Sequence, residues 1–68
     1  MTTVKILELM GESGTSWEAA IKDVVKDASQ SVKDIRSVYV QDLSVSVKDG
    51  KVDKYRVSCK LSFGVKGT

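Results

Sequence analysis

Residues 52–65 read Val-Asp-Lys-Tyr-Arg-Val-Ser-Cys-Lys-Leu-Ser-Phe-Gly-Val, and they alternate. Tyr55, Val57, Cys59, Leu61, Phe63 and Val65 fall on odd positions, whereas Lys54, Arg56, Ser58, Lys60, Ser62 and Gly64 fall on even ones. Successive side chains of a strand point to opposite faces, so this period of two predicts a strand with one apolar and one polar face. Just upstream, Lys48-Asp49-Gly50-Lys51 carries the Asp-Gly signal of a tight hairpin. The preceding run, 37–48, is the partner strand. Its apolar phase changes midway: Val38 and Val40 are even, whereas Leu43, Val45 and Val47 are odd. One extra residue at Gln41-Asp42, a β-bulge, keeps both runs on the same face.

Working outward, 16–32 has helical spacing. Trp17, Ala20, Ile21, Val24, Val25, Ala28 and Val32 form one stripe, and Lys22, Asp23, Lys26 and Asp27 lie off it. Thr15 and Glu18 stand three apart, which makes Thr15 the expected N-cap of a capping box. Residues 3–10 are rich in Val, Ile and Leu and end at Gly11, so they are expected to form a strand covered on both faces. Gly11-Glu12-Ser13-Gly14 then reads as a loop. The order strand, helix, strand, strand predicts an α+β, β-α-β-β fold. Its three-stranded antiparallel sheet, in order 1-3-2, packs on one helix.

The chain has 68 residues, one domain spanning 1–68. Such a small domain buries only about 60% of its unfolded surface and usually needs a staple. A single cysteine excludes an internal disulfide, and the absence of histidine excludes the commonest zinc sites and His-based triads. Self-association is the staple that remains. Eleven basic and nine acidic residues alternate along the chain, so nucleic acid is not an expected partner, although Lys54, Arg56 and Lys60 make part of a basic face. No apolar run approaches the about 20 residues of a membrane span, and Lys5 and Glu8 interrupt any signal-peptide core. A cytoplasmic location is expected and suits the unpaired thiol. No nucleophile has a base beside it, so an enzyme is not expected.

Cys59, Trp17 and Tyr55 read as core. Tyr39 stands apart, because it lies on the less apolar face of its strand as a candidate ligand or interface contact. Asp42, at the expected bulge, is a candidate hydrogen-bonding or metal-ligating acid.

Taken together, the chain resembles the dodecins. The matching motifs are Val4-Lys5-Ile6-Leu7-Glu8-Leu9-Met10-Gly11 with Ser13, Thr15-Ser16-Trp17-Glu18-Ala19-Ala20-Ile21, Val32-Lys33-Asp34-Ile35-Arg36, Asp49-Gly50-Lys51-Val52, Tyr55-Arg56-Val57 and Phe63. The resemblance implies a hollow homododecamer that sequesters flavins (riboflavin, FMN or FAD) in pairs between subunits and stores them without turning them over. It places the ligand site at Ser37, Asp42 and Arg56, and Tyr39, two residues from Ser37 on the same strand face, is the candidate for a substitute ring. Two of these depart from the flavin-binding pattern. Ser37 stands where a tryptophan stacks on the flavin, and Arg56 stands where a glutamine bonds the ring edge. A lost stacking ring costs about 1–3 kcal/mol. An Arg56 held by an acid such as Asp42 or Glu8 closes its part of the site. Asp-Ile-Arg followed by a non-aromatic residue, with Tyr-Arg in place of Tyr-Gln, is similar to a branch associated with calcium. Calcium needs six to eight oxygens, which Asp42, Ser44, Ser46, backbone carbonyls and symmetry mates would supply.

Overall fold

The β3 strand, Lys51–Val65, is the middle of the sheet and organises everything else. The computed structural model describes residues 3–65. Strand β1 (Thr3–Ser13) and strand β2 (Ile35–Lys48) both pair with β3 antiparallel, in order β1-β3-β2, and helix α1 (Trp17–Ser29) connects β1 to β2. The β-α-β-β fold expected from the sequence is therefore the one observed. At the hairpin turn, Asp49 and Gly50 have φ of 52° and 74°. Two consecutive positive φ values are the requirement of a type I′ turn, and they explain the Asp-Gly pair.

The phase change in β2 has the expected origin. Val40 pairs with Cys59 and Asp42 with Ser58, which leaves Gln41 as the extra residue. Val38, Val40, Leu43 and Val45 thus lie opposite Leu61, Cys59, Val57 and Tyr55, on the helix side of the sheet. Without the bulge, one half of β2 would turn its valines to the other face.

Several boundaries differ from expectation. Strand β1 runs through Gly11 to Ser13 instead of stopping at Met10. Gly11 pairs with Val57 and is buried under the helix, where a Cβ would collide with Val24 Cγ2 and approach the Ala20 carbonyl to 2.9 Å. Glycine here is a packing requirement rather than a turn signal. The helix is capped by Ser16, not Thr15: the Ser16 hydroxyl accepts from Ala19 N at 3.0 Å. That bond satisfies one of the free N–H groups of the first turn. The helix also ends at Ser29, before the expected Val32.

The core proper is Ala20, Val24, Val57, Cys59 and Leu61, with Leu9, Ile21 and Val38 packed against it. Cys59 is only 1% exposed, and burial pushes its thiol above the ordinary value, so it acts as a small hydrophobe. Trp17, expected in the core, is 36% exposed. Its ring meets Tyr55 edge-on at 5.1 Å, and its Nε1 donates to the Ser44 carbonyl at 2.9 Å. It pins the start of the helix to β2 from the rim.

A helix of 13 residues is about 20 Å long, whereas a strand of 14 spans about 48 Å. The helix therefore covers less than half of the hairpin. The molecule is 53 Å long, and its radius of gyration is 14.0 Å, against about 11 Å for a compact chain of this length. Val40, Leu43 and Val47 on the helix side, and Val4, Ile6 and Met10 on the opposite face of β1, stay exposed. No helix among the described residues is long and apolar enough to cross a membrane.

Candidate functional site

The face of the sheet turned away from the helix collects the even positions of β1 and β3. Across from them lie Ser37, Tyr39, Asp42 and Ser44 of β2, opposite Ser62, Lys60, Ser58 and Arg56. All four candidate residues named from the sequence, Ser37, Tyr39, Asp42 and Arg56, therefore share one face. The bulge at Gln41 is what brings Asp42 onto it. Tyr39 is 61% exposed and stands between Ser37 and Asp42 along the strand.

Two of the four are already engaged within the chain. The Ser37 and Ser62 hydroxyls share a hydrogen bond. Arg56 Nε donates to Glu12 Oε2 at 2.7 Å, across the β1–β3 pair. Arg56 thus turns away from Asp42, its diagonal neighbour on β2, and the Glu8 carboxylate lies instead by Lys60 at 3.9 Å. The remaining hydroxyl of interest, Ser46 Oγ, accepts from Lys54 N at 3.0 Å.

Glu12 is the residue that sequence reasoning missed. Ending β1 at Met10 placed it in a loop. Continuing the even face of β1 through Ile6, Glu8 and Met10 puts Glu12 directly opposite Arg56. The Arg56 hydrogen bond, aided by the charges of Arg56 and Lys54, outweighs partial desolvation and holds the Glu12 carboxyl below the ordinary 4.5. Its folded-state affinity for a proton is thus lower than its unfolded one. The stabilisation it contributes is complete above the unfolded value and is lost as pH falls through the lower, folded one. Thermal melts taken on the acid side of pH 4.5 are expected to decline less steeply for Glu12→Gln than for the native chain. Identical acid limbs would show that the pair does not persist in solution.

Two positions of this face offer a stacked flavin no contact as they stand. Ser37 has no π-face and its hydroxyl is occupied, and the Arg56 guanidinium is drawn to Glu12. Calcium finds the Asp42 carboxylate and the Ser44 and Ser46 hydroxyls at alternating outward positions, too few for its six to eight ligands. Among the described residues no group of three or more His, Cys, Asp or Glu is placed to hold a metal ion. A cation bound at Asp42 needs oxygens from beyond one chain.

A single helix half-wrapped by a long antiparallel sheet, with a polar face behind and uncovered apolar strips, defines a class of small β-α-β-β domains. Within that class the chain belongs to the dodecin family, whose model matches residues 3–66. It is 35% identical over 63 residues to the calcium dodecin of Mycobacterium tuberculosis, covering 93% of this chain and 89% of that protein. The crystal structure of that calcium dodecin, described as having a novel calcium-binding site, superposes with a TM-score of 0.84 at 34% identity, covering 97% of this chain and 94% of the other. The dodecin of Streptomyces coelicolor superposes at 0.93 with 25% identity, over 98% and 96% of the two chains. The tt0972 protein of Thermus thermophilus gives 0.94 at 24% identity over 100% of each, a likeness of fold.

Proposed function

We propose that the protein is a non-enzymatic, homo-oligomeric dodecin shell with a small-ligand site between subunits at Ser37, Tyr39, Asp42 and Arg56, and that its native ligand is calcium. The single observation that carries the choice of ligand is the Arg56–Glu12 pair at 2.7 Å, which engages the group at the position where the resemblance expects a contact to the flavin ring edge. The Ser37–Ser62 hydrogen bond, at the position of the missing ring, supports it. The relative named for calcium supports the choice of ion. Asp42 supplies the carboxylate, and further oxygens come from neighbouring copies.

Calcium that binds only the assembled, folded protein stabilises it by mass action. At about a hundredfold excess over its dissociation constant the gain is about 2.7 kcal/mol, a Tm rise on the order of 10 °C at fixed protein concentration. EDTA reverses the rise, and Asp42→Asn removes it. A Tm indifferent to calcium in the native protein counts against this reading.

A second reading has one observation in its favour. Tyr39 is exposed on the same face and offers a ring to a flavin. Stacked flavins lose fluorescence, so quenching of riboflavin or FMN by the native protein, abolished in Tyr39→Ala, would favour it over calcium.

A further inference from the structure

Among the described residues, an acidic like-charge pair on α1 and a basic one at the hairpin tip take part in no ion pair. On α1, Asp23 and Asp27 are four residues apart, one turn above another, a spacing that destabilises a helix. At the hairpin end, Lys48 lies directly across from Lys51, and like charges directly opposite destabilise a strand pair. Opposite charges stand close in sequence: Lys26 is three residues from Asp23, and Asp49 and Asp53 flank Lys51. Lys26 on the helix, and Asp49 and Asp53 at the tip, take no part in the ion pairs of the described residues, and neither do Asp23, Asp27, Lys48 or Lys51.

Each pair borders apolar surface. Asp23 and Asp27 edge an open groove of about 490 Å³ between α1 and β1, lined by Leu7, Leu9, Val24 and Val32. Lys48 and Lys51 adjoin the cross-strand pair Val47 and Val52, 66% and 50% exposed. The groove is apolar with an acidic rim, and the tip is apolar with a basic end. The tip projects along a 53 Å molecule and belongs to the same continuous sheet as β1, so it cannot fold back into its own groove.

We propose that the β2–β3 hairpin tip of one copy docks in the α1–β1 groove of the next, with Val47 and Val52 against its apolar lining and Lys48 and Lys51 paired with Asp23 and Asp27. The inference rests on the homo-oligomeric reading above and specifies one of its contacts. Because two different surfaces meet, the contact is heterologous, the kind that propagates head to tail and closes into a ring when the rotation permits. It removes both charge conflicts at once and buries apolar surface that a single chain leaves in water.

The test is charge reversal with rescue, read by light scattering after size exclusion, with circular dichroism to confirm folding. The native protein is sized first. A monomer at every concentration and salt would overturn the homo-oligomeric reading itself, and this contact with it. In an assembling protein, Asp23→Lys/Asp27→Lys and Lys48→Glu/Lys51→Glu are each expected to lose the large particle, and the four substitutions together to restore it. Reversals that leave the particle intact, or that break it without rescue in the combined variant, would overturn this contact and leave oligomerisation standing. Should a reversal fail to fold, the neutral variants Asp23→Asn/Asp27→Asn and Lys48→Gln/Lys51→Gln are used. Each is expected to move dissociation to about tenfold higher protein concentration, and the combination is expected to do no more than either alone. Additive effects in that cycle would show that the two pairs do not meet.

Discussion

A Ser37→Trp/Arg56→Gln double variant is expected to bind riboflavin and FMN at least about tenfold more tightly than the native chain, and up to about a thousandfold. The gain has two sources. An indole at position 37 restores a stacking surface worth about 1–3 kcal/mol per ring face. It stands on the same sheet face as Tyr39 and Asp42, with β3 alongside. A glutamine at position 56 replaces a guanidinium held by Glu12 with an amide able to donate and accept at a ring edge. The single substitutions are expected to gain less. Ser37→Trp alone leaves the guanidinium in place, and Arg56→Gln alone supplies no ring. Ser37→Trp also removes the hydrogen-bond partner of Ser62, which is buried, at a cost of about 1–3 kcal/mol to the fold if no water replaces it. Loss of flavin fluorescence on titration measures the affinity. A folded, assembled double variant that leaves flavin fluorescence unchanged would show that positions 37 and 56 do not line a flavin site in this protein.

Gly11→Ala is expected to be the most destabilising small substitution in the chain, and Gly11→Val to prevent folding. Gly11 lies where α1 crosses β1, and any Cβ there meets Val24 Cγ2, the Ala20 carbonyl and Val57 Cγ2 at once. Two of those neighbours are core side chains and the third is helix backbone, so none can swing aside cheaply. The helix must lift off the sheet, and overpacking of this kind costs about 1–3 kcal/mol or more. A chain of this size has about 3–10 kcal/mol of stability in all. For Gly11→Ala the Tm is therefore expected to fall by roughly 10–20 °C. Gly14→Ala is the control: nothing lies within 4 Å of a Cβ at Gly14, so its effect is expected within about 0.5 kcal/mol. Equal melting of the two variants would place α1 farther from β1 than it stands here.

The period of two in β3, the Asp-Gly turn and the apolar stripe of α1 are local signals, and they yield element types and strand order directly. The phase change at Gln41-Asp42 is local as well, since it counts residues along one strand. From these follow the shared face of Ser37, Tyr39, Asp42 and Arg56. Gly11 misled for a physical reason. A glycine that ends a strand and one that admits a helix look the same in one dimension, and only the approach of Val24 and Ala20 tells them apart. Ser16 and Thr15 pose the same ambiguity, because adjacent hydroxyls have equal capping chemistry and differ only in which one reaches the third N–H of the turn.

Sequence alone thus determined the β-α-β-β order, the bulge and the polar composition of the candidate face, because periodicity and turn chemistry act over a few residues. Tertiary structure alone decided that Arg56 bonds Glu12 rather than Asp42. Forty-four positions separate that pair, and their meeting depends on the antiparallel register that sets Glu12 opposite Arg56. It also decided which apolar side chains stay exposed, Val40, Leu43 and Val47 on the helix side and Val4, Ile6 and Met10 on the other face of β1, because that depends on where the helix lies on the sheet.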